Sequence, residues 1–303
     1  MTKTVTCVGG ANIDIQGFSN TAINMRDSNP GTVRLCPGGV GRNIAENLAW
    51  LGAHVRMVTA VGEDPFAEMI LKSCTNAGID TSEIEVIPGA RSSSYLVLTD
   101  SDGDMLAAIS DMHIMKQLDG AFILRHAAAL DSADAIVLDP NLSTDSLETL
   151  TSGWTHKPLF ADPISTTYAG TLKRFLPRLT MVKCNRQEAE IFAGMEIRDG
   201  NELETAADRM LETGLHCAVI TLGSDGVFYK DQDGHRLRKY HKKLEPVSAT
   251  GAGDSFTAAM VYGWLCEMGP EASLELAMKA AEITIMETLT VTPKIKNLTK
   301  NEP

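Results

Sequence analysis

The stretch "SATGAGDSFTAAM", residues 248–260, places Gly251, Ala252 and Gly253 directly before a carboxylate, Asp254, and an apolar run. Glycine lets backbone N–H groups approach a ligand closely. A helix start leaves its first N–H groups unpaired and carries partial positive charge. Together they make an anion site. A carboxylate there would repel a bound anion, so Asp254 reads as a base acting beside the anion. The combination fits phosphoryl transfer: Gly251, Ala252 and Gly253 hold the transferring oxygens, and Asp254 takes the proton of an attacking hydroxyl. The helix start predicts a lowered pKa and a weak base. A loose transition state tolerates that, since it needs only late proton removal. The same residues also read as a small-residue turn with an aspartate N-cap.

Four further segments carry candidate groups. In "CPGGVGRN" (36–43), Gly38, Gly39 and Gly41 let a ligand lie against the backbone, and Asn43 can grip a hydroxyl; a tight strand-to-helix turn is the alternative. "GGANID" (9–14) ends a strand with Asn12 and Asp14, side chains suited to vicinal hydroxyls or to a satisfied turn. Strand ends are where open α/β sheets place ligands. In "VKCNRQEAE" (182–190), Asn185 and Glu188 suit hydrated Mg²⁺ or its phosphate, or else a helix cap with glutamate at its third position. "TLGSDG" (221–226), with Thr221, Gly223 and Gly226, is a turn able to lie beside a nucleotide. Two other phosphate motifs are excluded. No Gly-Lys pair exists for a Walker loop. Phe256 stands where a dinucleotide fingerprint needs glycine.

These segments need a scaffold, and the chain alternates strand and helix signals. Strand-like runs occupy 5–10, 55–62, 135–139, 158–163, 181–185 and 217–223. Helical patterns cover 40–52, 65–78 and 202–214, each ending on glycine. The strands are too continuously apolar for a wet face, which predicts an α/β fold with a mostly parallel sheet covered on both sides. Two segments break the pattern. Residues 13–36 are polar and irregular, with a turn at "DSNPG" (27–31), and 91–112 read as a hairpin around "DSDGD". Strands outside any βαβ unit predict a small separate sheet, a β lid of residues 13–36 and 91–112 over a core of 1–12, 37–90 and 113–303. The run from 291 to 303 reads as a frayed tail.

The length of 303 residues, with 44% hydrophobic content, suffices for one large α/β domain or two modest ones. A formal net charge of −12 argues against nucleic-acid and anionic-membrane partners. No run of 18 apolar residues occurs, and the first residues lack the pattern of a signal peptide. The six cysteines form no Cys-x-x-Cys pair, which predicts buried thiols and a cytoplasmic location. No structural metal site is read from the cysteines and histidines.

Taken in order, "GGANID", "PGGVGRNIAENLAWLG", "VKCNRQEAE" and "TGAGDSF" resemble the ribokinase-like (PfkB) family of carbohydrate and nucleoside kinases over nearly the whole chain. The resemblance implies a three-layer domain with a small β-sheet lid, ATP and Mg²⁺ as cofactors, and a nucleoside or sugar substrate. It implies Asp254 as base with Gly251, Ala252 and Gly253 as anion hole. Asn12, Asp14, Gly38, Gly39 and Asn43 would hold the sugar. Asn185, Thr221, Gly223 and Gly226 would serve the nucleotide, and Glu188 the metal. It also implies a possible homodimer through the lid. "ANIDIQGFS" (11–19), "DSNPG" (27–31), "SSSYL" (92–96) and "ISDM" (109–112) are similar to the pseudouridine kinase branch. Two departures stand out. Ser248, Ala249 and Thr250 replace a frequent Asp-Thr-x whose aspartate helps hold a monovalent cation, so the resemblance leaves a K⁺ requirement open. Cys184 replaces a frequent proline before Asn185.

Overall fold

The computed structural model describes residues 3–101, 104–241, 247–248 and 250–299. Its strands are β1 (Thr4–Val8), β2 (Asn12–Ser19), β3 (Gly31–Gly38), β4 (His54–Gly62), β5 (Ile84–Ile87), β6 (Ser93–Thr99), β7 (Met105–Asp111), β8 (Ala135–Leu138), β9 (Leu159–Ala161), β10 (Met181–Asn185), β11 (Cys217–Thr221), β12 (Val227–Asp231) and β13 (Arg236–Lys239). The helices are α1 (Val40–Leu51), α2 (Pro65–Asn76), α3 (Gly120–Arg125), α4 (Ala127–Asp131), α5 (Thr144–Gly153), α6 (Thr166–Leu172), α7 (Arg186–Ala193), α8 (Gly200–Glu212), α9 (Ala252–Leu265) and α10 (Gly269–Ile285).

Nine strands form the central sheet in the order β13-β12-β11-β10-β9-β8-β1-β4-β5. All neighbours are parallel except β11–β12 and β12–β13 at one edge. Side chains alternate along each strand, so each strand feeds two cores. Val8, Ile136, Leu138, Val182 and Ile220 pack with α3 to α8 on one side. Val5, Cys7, Val137, Met181 and Val219 pack with α1, α2, α9 and α10 on the other. The expected three-layer, mostly parallel architecture is thus present.

Local signals set the helix ends. Asp64 caps α2 by accepting from the Ala67 amide, with Pro65 at the first helical position. Gly52 closes α1 in the left-handed region at φ 105°. Helix α9 is buried nearly all round, because it lies between the sheet, α1 and α10. From β1 the chain winds outward to β4 and β5, then returns to place β8 on the other side of β1. This reversal makes a topological switch point at the carboxyl ends of β1 and β8, the place where open α/β sheets bind ligands.

The second sheet has four strands in the order β3-β2-β6-β7. Two antiparallel hairpins, β2–β3 and β6–β7, join through a parallel pairing of β2 with β6. Residues 13–36, read as irregular from their polarity, are for most of their length two paired strands. Their pattern is hard to read because the apolar side chains of β3, Val33 and Leu35, stand on an exposed face. The turn expected at "DSDGD" includes residues 102 and 103, which lie outside the described residues. Asn12, Asp14 and Tyr95 line one face of this sheet, and Val33, Leu35, Leu98 and Ile109 are exposed on the other.

The reading of residues 291–303 as a frayed tail is corrected for its first half. Pro293–Asn297 form a 3₁₀ turn, and Ile295 lies in the core with α1 and α10 at 0% exposure. The apolar content of this run is low, and one well-placed isoleucine suffices to anchor it; residues 300–303 lie outside the described residues. Ile295→Ala is expected to destabilise the protein by about 2–5 kcal/mol, measured by urea unfolding, whereas a frayed tail would give no change.

Candidate active site

Every segment singled out for chemistry reaches the carboxyl edge of the central sheet. Gly251 precedes α9 at φ 84°, and a Cβ there would come within 1.9 Å of the Thr290 carbonyl oxygen, so only glycine fits. Ala252, Gly253 and Asp254 form the first turn of α9, with their backbone at the helix start. Gly39 precedes α1 at φ 94°, and a Cβ there would lie 2.5 Å from the Gly10 carbonyl oxygen and 3.0 Å from Asn12 Oδ1. The two glycine turns are thereby brought to the end of β1. They meet through side chains: Asn43 Nδ2 donates to Asp254 Oδ2 at 2.8 Å.

Asn43 is itself held. Arg42 Nη2 donates to Asn43 Oδ1 at 2.7 Å and to the Pro37 carbonyl at 3.0 Å, while its Nε donates to the Gly38 carbonyl at 3.1 Å. Nη1 completes the set with Ser73 Oγ at 3.0 Å and an ion pair to Glu46. Asn12, the first residue of β2, donates through Nδ2 to Asp14 Oδ1 at 2.6 Å. Burial pushes the Asp14 carboxyl up, against the Asn12 hydrogen bond and the Arg42 charge. Gly38 lies across β2–β3 from Asn12, and a Cβ there would strike the Asp14 carboxylate at 2.3 Å.

At the other end, Asn185 caps α7 by accepting from the Glu188 amide at 2.9 Å, and Glu188 Oε2 accepts from the Asn185 amide at 2.8 Å. The capping arrangement is therefore present, and Glu188 is buried near Asp162 and Lys183. Burial raises the Glu188 carboxyl, reinforced by Asp162 and opposed by the Asn185 amide and Lys183. Thr221 lies opposite Asn185 at the end of β11, and its hydroxyl donates to the Cys184 carbonyl at 3.3 Å. Gly223 and Gly226 flank the following short turn, which Asp225 ties to Arg186 of α7 at 3.6 Å. Ala249 lies outside the described residues; Ser248 Oγ accepts from the Thr250 amide at 3.2 Å.

Four charged residues that complete the site were not picked out from the sequence. Lys183 Nζ donates to Asp162 Oδ2 at 2.8 Å, and Thr257 Oγ1 donates to the same oxygen at 2.9 Å. Burial alone would lower Lys183, but Asp162, with Asp254 and Glu188, holds it above its ordinary value. Its Nζ would lie 2.7 Å from a Cβ on Gly253, so the ammonium sits under the first turn of α9. Asp139 accepts from the amides of Gly10 at 2.9 Å, Gly41 at 3.2 Å and Asn141 at 2.8 Å, joining the two strand-end loops. Arg42 is the fourth. The available signals were a lysine inside an apolar strand and carboxylates ending "AIVLD" and "LFAD".

The expectation of a lowered Asp254 pKa is overturned. The group is 9% exposed, and burial lifts it from its ordinary 3.8 to about 7. The charges of Asp162 and Asp139 add to the rise, and the Asn43 hydrogen bond and Lys183 only partly offset it. Desolvation outweighs the helix start. The Asp254 carboxyl consequently titrates near neutral pH, above the range expected at a helix start.

The model of the pfkB family of carbohydrate kinases matches residues 2–297. The chain belongs to that family. Among relatives, a pseudouridine kinase of Escherichia coli (strain K12) is 33% identical over 291 residues, covering 96% of this chain and 93% of that protein. A guanosine-inosine kinase of Exiguobacterium acetylicum is 30% identical over 290 residues, covering 94% of this chain and 95% of that protein. A solved ribokinase of Arabidopsis thaliana, complexed with ribose and ATP, shares the fold at a TM-score of 0.83, with 19% identity and all of both chains covered. Among the described residues, no helix is long and apolar enough to cross a membrane.

The folded protein holds the Asp254 proton to about pH 7, whereas the unfolded chain releases it near 3.8. The folded state binds more protons between these values, so this group's contribution to stability falls as pH rises through that window. Asp254→Asn is expected to raise the melting temperature of the ligand-free protein at pH above about 7 and to have little effect well below about 4. A stability gain independent of pH would count against the raised pKa.

Proposed function

We propose that this family member transfers the γ-phosphoryl group of ATP to the ribose 5′-hydroxyl of pseudouridine, giving pseudouridine 5′-phosphate and ADP. The observation that carries the reaction is the Asn43–Asp254 contact, which sets a near-neutral base at the mouth of the glycine-lined helix start. The acceptor reading is supported by the pseudouridine kinase relative at 33% identity over 96% of the chain. The guanosine-inosine kinase relative, at 30% identity, favours another nucleoside as the second reading.

In this scheme Asn12, Asp14, Gly38, Gly39 and Asn43 hold and aim the ribose. Asp254 accepts the 5′-hydroxyl proton as the oxygen attacks phosphorus. The backbone N–H groups of Gly251, Ala252 and Gly253 stabilise the charge on the transferring oxygens. Asn185, Thr221, Gly223 and Gly226 line the nucleotide side. The buried carboxylates fit a cation, since Asp162, Glu188 and Asp254 share the ammonium of Lys183 and leave negative charge in excess. Glu188 would hold Mg²⁺ through water or phosphate, and the ion would neutralise charge on the phosphates. The small sheet acts as a lid whose Asp14 face closes over the nucleoside and excludes water. Its exposed apolar face, with Val33, Leu35, Leu98 and Ile109, supports pairing with a second copy of the chain. A cytoplasmic location suits such an enzyme.

Release of ADP, followed against pseudouridine, uridine, guanosine, inosine and ribose, tests the reading; pseudouridine is expected to give the highest kcat/KM. A higher value with guanosine or inosine would transfer the assignment to the second reading. Asp254→Asn keeps the shape and removes the proton acceptor. It is expected to lower kcat by roughly 10²–10⁴ with nucleoside binding retained. A variant keeping more than half of the wild-type kcat, with chemistry shown to limit turnover, would remove Asp254 from the role.

A further inference from the structure

The three consecutive serines at 92–94 meet different fates. Ser92 is fully engaged: its hydroxyl donates to Asp64 Oδ1 at 2.7 Å and accepts from the Gly62 amide at 2.9 Å, and its own amide donates to Asp64 Oδ2 at 2.7 Å. It is part of the cap that starts α2. Ser94 lies opposite Ile13 and Asp111, with its side chain on the other face of the strand. Ser93 is 1% exposed, yet its Oγ has no hydrogen-bond partner among the described residues. A buried hydroxyl left unmatched is costly and calls for an explanation.

Its position supplies one. Ser93 lies directly opposite Asn12 across the parallel β2–β6 pair, and Asn12 lies opposite Gly38 across β2–β3. Residues opposite one another on paired strands present their side chains to the same face. The next pair on that face is Asp14 with Tyr95. The unpaired hydroxyl therefore lies in the row that holds the Asn12–Asp14 hydrogen bond, beside the glycine turn of residues 38 and 39.

We propose that Ser93 is a substrate-binding residue whose hydroxyl is completed by an N–H or O–H of the nucleoside acceptor. This rests on the nucleoside reading given above. A serine hydroxyl offers one donor and two acceptor positions, so it can serve either group. A site that loses a buried hydrogen bond when its ligand lacks the partner discriminates strongly against that ligand. Pseudouridine carries a ring N–H, at N1, that uridine lacks, and both nucleosides carry the ribose hydroxyls. Ser93 thus selects acceptors by what they present to it.

The test compares wild type with Ser93→Ala in the full chain, measuring the melting temperature without ligand, calorimetric Kd for pseudouridine and uridine, and KM for MgATP. The variant removes an unsatisfied polar atom, so the melting temperature is expected to stay level or rise. The Kd for pseudouridine is expected to weaken by roughly five- to a hundredfold, with KM for MgATP unchanged. Loss confined to pseudouridine assigns the contact to the base N–H, and equal loss for both nucleosides assigns it to the ribose. Ser93→Cys, close in size with a weak hydrogen-bonding group, is expected to show a similar loss and rules out a volume effect. A lowered melting temperature with unchanged Kd would make Ser93 structural and overturn the assignment alone. Wild type that neither binds nor phosphorylates either nucleoside would overturn the acceptor reading and the Ser93 assignment with it.

Discussion

Carboxylates are expensive to bury, and the carboxyl edge of this sheet buries Asp139, Asp162, Glu188 and Asp254 together. The surrounding structure is organised by how each is compensated. Asp139 receives backbone N–H groups from both strand-end loops, which fixes those loops against each other. Asp162 takes the Lys183 ammonium and the Thr257 hydroxyl. Glu188 is bound into the cap of α7. Asp254 accepts from the Asn43 amide alone among the described residues, and burial, with the charges of Asp162 and Asp139, lifts its pKa toward neutrality.

The compensation for Asp254 depends on a longer chain. Asn43 is oriented by Arg42, and Arg42 is tied to the Pro37 and Gly38 carbonyls, Glu46 and Ser73. The guanidinium thus links the end of β3, the first turn of α1 and helix α2. The partner of Asp254 is held by an arginine at whose position nothing in the local motif announces a role. The glycines on either side let backbone segments come close enough for this chain to close.

Much of this was legible in the sequence because it depends on local rules. The glycine turns, the Asn185–Glu188 spacing and the apolar strands each carry a short-range pattern, and their common arrival at one edge follows from parallel strands pointing the same way. Lys183, Asp162 and Asp139 were harder to see, since their roles depend on neighbours far along the chain: Lys183 meets Asp162 across 21 residues, and Asp139 meets Gly10 across 129. The pKa of Asp254 departs from the local expectation for the same reason. The helix start is a local feature, but the burial that lifts the group most, and the charges of Asp162 and Asp139 that add to it, come from segments distant in the chain. Ile295 escaped notice because one buried side chain in a polar run leaves no periodicity.

The parallel seam between β2 and β6 has a kinetic consequence. Asn12 and Ser93 are 81 positions apart, and β4, α2 and β5 lie between them. Each hairpin can form from its own neighbouring residues, but the seam must await closure of this long loop. The face that carries Asn12, Asp14 and Ser93 is therefore complete only once that loop has closed, a shorter closure than the one that pairs β1 with β8. A chain emerging from synthesis presents all four strands of the small sheet before it presents β8 to β13 of the central sheet.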